Sequence, residues 1–168
     1  NMPIRNIDSF THTRGESVYL DDIPLVSGTL FASVFGSPIA HGKILKIDIT
    51  AAAAMDGVVR IFTYKDIPGK NQIGGIVPDE PLLATDEVHY VGMPVILVVA
   101  DSAEIAAAAV KKIKIEIEKY PVVTNPRTAH ANGSLIVPPR TFKIGDSENI
   151  FENCTHIFEG VAETNGQE

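Results

Sequence analysis

Residues 86–120 constrain the fold of this chain more than any other stretch. Val95 to Ala100 (VILVVA) is an unbroken apolar run of strand length, rich in β-branched residues, which is the pattern of a strand covered on both faces. Asp101, with Glu104 three residues on, approximates a capping box at the start of a helix. Ile105, Ala106, Ala109 and Val110 then share one helical face, and the small alanines let that helix lie close on a sheet. At Ile113 the period changes from helical to two. Ile113, Ile115 and Ile117 point one way, and Lys114, Glu116 and Glu118 the other. The unit is strand–helix–strand with a half-exposed second strand, and it carries no chemistry of its own.

Upstream, residues 1–16 are polar and read as an irregular arm. Pro24 makes residues 19–24 a turn, since it lacks the N–H a ladder needs. Thr29 to Phe35 reads as a strand that Gly36-Ser37-Pro38 ends. Leu45, Ile47 and Ile49 alternate with Lys46 and Asp48, a second strand with one wet face. Thr50 is the expected cap of a short Ala-rich helix through Met55, with Gly57 at the position of a helix-terminating glycine, and Val58 to Thr63 is a third strand. Residues 66–82 hold Pro68, Gly69, Gly74, Gly75, Pro78 and Pro81, which makes them a loop long enough to suggest a functional or contact role. Val88 to Val91 is a short strand, separated by Gly92 and Pro94 from the buried run.

Downstream, residues 121–142 carry Pro121, Pro126, Gly133, Pro138 and Pro139 with little periodicity and read as a linker. Asp146 to Asn153 is expected to form one short helix. Thr155 to Thr164 is expected to form a strand with Ile157 and Val161 inward. The organisation expected is therefore an arm (1–16), one α+β domain (17–125), a linker (126–142) and the first elements of a second domain (143–168).

Composition limits the function classes. The 168 residues carry a net charge of −7 without a basic cluster, which argues against nucleic acid or an anionic membrane as partner. No apolar run approaches the ~18 residues of a membrane span, and no signal-peptide core is visible, so the expected location is the cytoplasm. Cys154 is the single cysteine, which rules out an internal disulfide and a multi-cysteine metal site.

No catalytic constellation is recognisable in the sequence. His12, His41, His89, His130 and His156 show no metal-binding spacing, so no metal ligands are assigned from sequence. Gly74-Gly75 lacks the Lys-Ser/Thr and the helix of a phosphate loop. The acid pairs Asp21-Asp22 and Asp86-Glu87 sit at turn-to-strand junctions, where acids cap and solvate. Ser37 and Ser102 have no histidine in a nucleophile-like order, and Cys154 lacks electropositive neighbours. These residues leave three readings open: a structural module of a larger enzyme, a stand-alone small-ligand-binding domain, or a partner-docking domain.

Several stretches, in order and spacing, resemble the molybdenum-binding chain of the xanthine dehydrogenase/aldehyde oxidase family, the molybdenum hydroxylases. They are GESVYLDDIP (15–24), TLFA (29–32), SPIAHGKI (37–44), and EPLLATDEVHYVG (80–92) with the run to Ala100. The Tyr-x-Asp-Asp-Ile entry leans towards the xanthine dehydrogenase branch. Many relatives carry Gln where this chain has Met93, for which packing beside Pro94 is the plain role. The resemblance implies an α/β-hammerhead domain of mixed strands with two helices, followed by the start of a molybdopterin-binding domain, truncated here. It further implies a parent enzyme that hydroxylates a purine, another N-heterocycle or an aldehyde with oxygen from water. In that enzyme molybdopterin-molybdenum is the reacting cofactor, iron–sulfur clusters and FAD lie in partner subunits or domains, and the whole is a homo-oligomer. Gln167 matches the family glutamine that hydrogen-bonds an oxygen ligand of molybdenum, so it is the one cofactor-binding residue implied. The family's catalytic glutamate lies beyond residue 168, so no catalytic residue is assigned and this fragment is expected to be inactive alone.

Overall fold

The computed structural model describes residues 6–166. The chain divides into two compact units, one ending at Val122 and one beginning at Val123. In chain order the first unit contains α1 (Ser9–Arg14), β1 (Phe31–Gly36), β2 (Gly42–Asp48), α2 (Thr50–Ala53), β3 (Val58–Phe62), β4 (Glu87–Val88), β5 (Pro94–Ala100), α3 (Ala103–Val110) and β6 (Lys114–Lys119). The second contains α4 (Pro126–Ala131) and α5 (Ser147–Glu152).

The six strands form two antiparallel three-stranded sheets, ordered β1-β5-β3 and β4-β2-β6. Each strand–helix–strand passage crosses between them: β2-α2-β3 runs from the second sheet to the first, and β5-α3-β6 runs back. This double crossing joins the sheets into one unit. The apolar run at 94–100 becomes the centre of the first sheet. Ile96, Val98 and Ala100 on one of its faces are fully buried, while Leu97 and Val99 on the other are half-buried. α3 lies on β1 and β5, with Ala106 and Ala109 fully buried. Met93 is buried in the same core, and its Sδ accepts the His89 N–H at 3.3 Å.

The second sheet shows how register is specified. On its inner side Ile44 faces Ile117 and Ile47 faces Ile115. On its outer side Lys43 stands opposite Glu118, Lys46 opposite Glu116 and Asp48 opposite Lys114. A slip of one residue would put isoleucines in water and charges in the core.

Several local expectations are corrected. Leu45 is not inward: a bulge between Ile44 and Lys46 leaves it unpaired and exposed, so Ile44 takes its inner position. The arm is not wholly irregular, because Ser9–Arg14 closes one helical segment. Gly15, at φ 68°, lets its own N–H reach the His12 carbonyl and the Glu16 N–H reach that of Thr11. Thr50 is not a cap but the first helical residue, and its N–H is taken by Asp48 Oδ1 at 2.9 Å. Ser102, rather than Asp101, caps α3, with its Oγ accepting the Ile105 N–H. The short strand expected over 88–91 is limited to Glu87–Val88.

In the second unit the expected linker contains a helix. Asn125 Oδ1 accepts the N–H groups of Arg127 and Thr128, and Pro126 fills the first helical position, where no N–H is required. The helix expected over 146–153 is present as α5. The strand expected over 155–164 is absent, and Ile157 and Val161 are exposed rather than inward. Alternation alone makes no strand where no neighbouring strand takes its N–H and C=O groups.

Candidate functional site

Two features of the first unit and one of the second stand out. The first is an apolar groove of about 390 Å³ on the β1-β5-β3 sheet. Its floor is a single rung, since Val34 and Phe62 are both register partners of Leu97. Its wall comes from the Pro/Gly-rich loop, through Ile67, Pro68 and Leu82. That loop is braced rather than free. Asn71 Nδ2 donates to the Leu83 carbonyl at 2.7 Å, the Leu83 N–H donates back to Asn71 Oδ1 at 3.0 Å, and the Ile73 N–H reaches the Glu80 carbonyl at 2.8 Å. At its entry, Asp66 accepts from the Thr63 N–H and hydroxyl at 2.8 and 2.9 Å. Those hydrogen bonds, with Arg60 nearby, hold its carboxyl below the usual carboxylate range.

The second feature is a side-chain cluster on the β4-β2-β6 sheet. Gly42 pairs with Val88 on one side and Lys119 on the other. One rung further, His41 stands beside His89 and Tyr120. The Tyr120 N–H donates to the His41 carbonyl at 3.0 Å, and the Tyr120 ring meets the His41 imidazole edge-on at 5.3 Å. Glu87, two residues before His89, shares its face. One ligand atom from each of His41, Glu87 and His89 lies within 4.8 Å of the other two. Sequence spacing does not reveal this trio, because strand pairing rather than chain proximity assembles it.

The third feature is the exposure of the second unit. Among its described residues none is buried, and Ile136, Phe142, Ile144, Phe151 and Phe158 are all exposed. Phe151, Ile157, Phe158 and Val161 line a shallow apolar concavity.

The other residues singled out from sequence have local structural roles. Ser37 is buried and donates to the Ile39 carbonyl at 2.7 Å, Ser102 caps α3, and Asp22 Oδ2 accepts the Tyr19 N–H. Exposed Cys154 donates to the Ile150 carbonyl. Asp86 offers its backbone carbonyl to the Ile44 N–H at 2.7 Å. Gln167 lies outside the described residues. The described residues of the second unit, none of them buried, form no enclosed cradle for a pterin-sized group among themselves.

Residues 14–121 match the family model for the aldehyde oxidase and xanthine dehydrogenase a/b hammerhead domain. The chain is 38% identical to aldehyde oxidase 1 of Bos taurus, covering 99% of this chain and 12% of that protein. It is 39% identical to xanthine dehydrogenase 1 of Arabidopsis thaliana, covering 92% of this chain and 12% of that one. Among solved structures it resembles the aldehyde oxidoreductase from Desulfovibrio desulfuricans ATCC 27774, with a TM-score of 0.69 and 27% identity over 76% of this chain and 15% of that one. Quinoline 2-oxidoreductase from Pseudomonas putida 86 gives a TM-score of 0.66 and 30% identity over 76% of this chain and 17% of that one. The chain thus spans about an eighth of the length of the curated relatives it matches. Two crossed antiparallel sheets around one buried strand, and sequence agreement through both of them, make this chain a member of the aldehyde oxidase and xanthine dehydrogenase hammerhead family.

Proposed function

We propose that this chain is a scaffold portion of a molybdenum-dependent hydroxylase that acts on a purine, another N-heterocycle or an aldehyde. The first unit is the rigid hammerhead body. Residues 143–168 are the opening of the molybdopterin-binding domain, with residues 126–142 as the connection. The observation that carries this reading is the contrast between the units: one has a closed core and a family match, while the other exposes its large apolar side chains. Apolar surface of that extent marks a contact face, and the occupant proposed is the remainder of the molybdenum-binding chain.

In the parent enzyme the metal and its pterin supply the hydroxylation chemistry, and iron–sulfur and FAD modules in other domains or subunits carry the electrons onward. The described residues of this chain bind and orient nothing in that reaction directly. Their role is to hold neighbouring elements in place. By family resemblance Gln167 is the residue that would help hold the cofactor, where its side-chain amide could donate a hydrogen bond to an oxygen ligand of the metal without adding charge. The parent is further proposed to be cytoplasmic and homo-oligomeric. Among the described residues no helix is long and apolar enough to cross a membrane.

The test compares the isolated chain with the full-length parent. The isolated chain is expected to carry no stoichiometric molybdenum and to show no hydroxylase turnover. In the parent, Gln167→Ala is expected to lower kcat by about ten- to a hundredfold, the range typical of residues that orient metal ligands. Turnover by the isolated chain, or a parent indifferent to Gln167→Ala, would contradict the proposal.

A further inference from the structure

We propose that His41, Glu87 and His89 form a binding site for one divalent transition-metal ion of the zinc class, distinct from the molybdenum chemistry of the parent. Three observations support it. First, two imidazoles and a carboxylate converge where β2 and β4 pair, with one ligand atom of each within 4.8 Å of the others. Around zinc, such atoms sit at ~2.0–2.1 Å from the metal and so about 3.3 Å apart. His89 is exposed and Glu87 half-buried, which leaves their side chains room to turn toward an ion.

Second, the tautomer of His41 is set by its partner. His41 Nδ1 lies 3.0 Å from the Pro121 carbonyl oxygen, which only accepts, so Nδ1 carries the proton. Nε2 is left with the free lone pair a metal requires. A metal-bound histidine commonly hands its other N–H to a backbone carbonyl in this way. The edge-on Tyr120 ring adds a second restraint on the imidazole plane.

Third, the two histidines adjoin the ladder. His41 and His89 are the next residues after the Gly42–Val88 pair, and their ring centroids are 5.9 Å apart. The paired backbone beside them brings two ligands together before any metal arrives, which reduces the ordering cost of binding. Two imidazoles and one carboxylate suit zinc, and three protein ligands leave a position for water. Lys43 is the register partner of Glu87, and a cation at that position disfavours a bound metal. The ion would clasp β4, only two residues long, onto β2, tying down the end of the 67–86 loop.

The experiment uses the whole chain, residues 1–168, stripped with a chelator and titrated with zinc chloride by calorimetry. One equivalent is expected to bind, with imidazole resonances of His41 and His89 shifting in long-range ¹H–¹⁵N spectra. His89→Ala and Glu87→Gln, both at accessible positions, are expected to weaken binding at least tenfold. Lys43→Met is expected to tighten it, and His130→Ala and His156→Ala to leave it unchanged. Saturating zinc is expected to raise the Tm of the unaltered chain, but not that of His89→Ala. Should His41→Ala fail to fold, the His89 and Glu87 variants decide the question. Absence of one-equivalent binding, His89→Ala within twofold of the unaltered chain, or shifts confined to the other histidines would overturn the proposal.

Discussion

Gly42 shows how one residue governs the region around both sheet edges. It is fully enclosed between Val88 and Lys119, and a Cβ there would collide with the Glu118 carbonyl and come within 2.8 Å of Ile117 Cγ2. The obstacle is partly backbone, so the β6 strand itself would have to move. Gly42→Ala is therefore expected to lower stability by about 1–3 kcal/mol, the usual cost of forcing extra volume into a packed site. Chemical denaturation measures it, and an unchanged midpoint would show that β6 is not held against β2 as described. Met93 was equally open to reading from sequence as a packing residue, and its burial agrees with that. The convergence of His41 on His89 was not legible, because it depends on which strands pair, and no pattern of nearby residues encodes that.

At the scale of elements, the α3 cap separates two competing accounts. Asp101 and Glu104 have the spacing of a capping box, yet Ser102 has the extended backbone of a cap (φ −141°, ψ 159°) and accepts the Ile105 N–H. Ser102→Ala is expected to cost about 1 kcal/mol, while Asp101→Ala is expected to stay within about 0.5 kcal/mol. Thermal unfolding of the two variants distinguishes the accounts, and the reverse order would restore Asp101 as the cap. The Glu104 carboxyl is held below its ordinary range by its own backbone N–H and then by the Ser102 hydroxyl, consistent with a helix start at Ala103. Strands and helices of the first unit were legible because period and burial agree there, from the run at 95–100 to the isoleucines of β6. The exceptions have local causes. The bulge at Leu45 moves the alternation by one residue, and α4 is set by an Asn-Pro cap within a stretch too short for periodicity.

At the scale of the whole molecule, the two units differ in kind. The first closes a core in which Ile96, Val88, Val95 and Val98 are its largest fully buried side chains. The second is held by short-range hydrogen bonds within α4 and α5 and buries no described side chain. Its strand reading over 155–164 failed because a strand is a property of a pair, and no pairing partner is present among the described residues. The family was legible from the order of its motifs, whereas chemistry was not, since the sequence holds no recognisable catalytic constellation. On the proposed function, residues 123–166 acquire their packing from the remainder of the parent protein. Hydrogen exchange followed by mass spectrometry, on the isolated chain and on the full-length parent, tests it most directly. β5 is expected to be protected in both, and 123–166 to exchange freely in the isolated chain but at least about a hundredfold more slowly in the parent. Protection of 123–166 already in the isolated chain, or equally fast exchange in the parent, would contradict it.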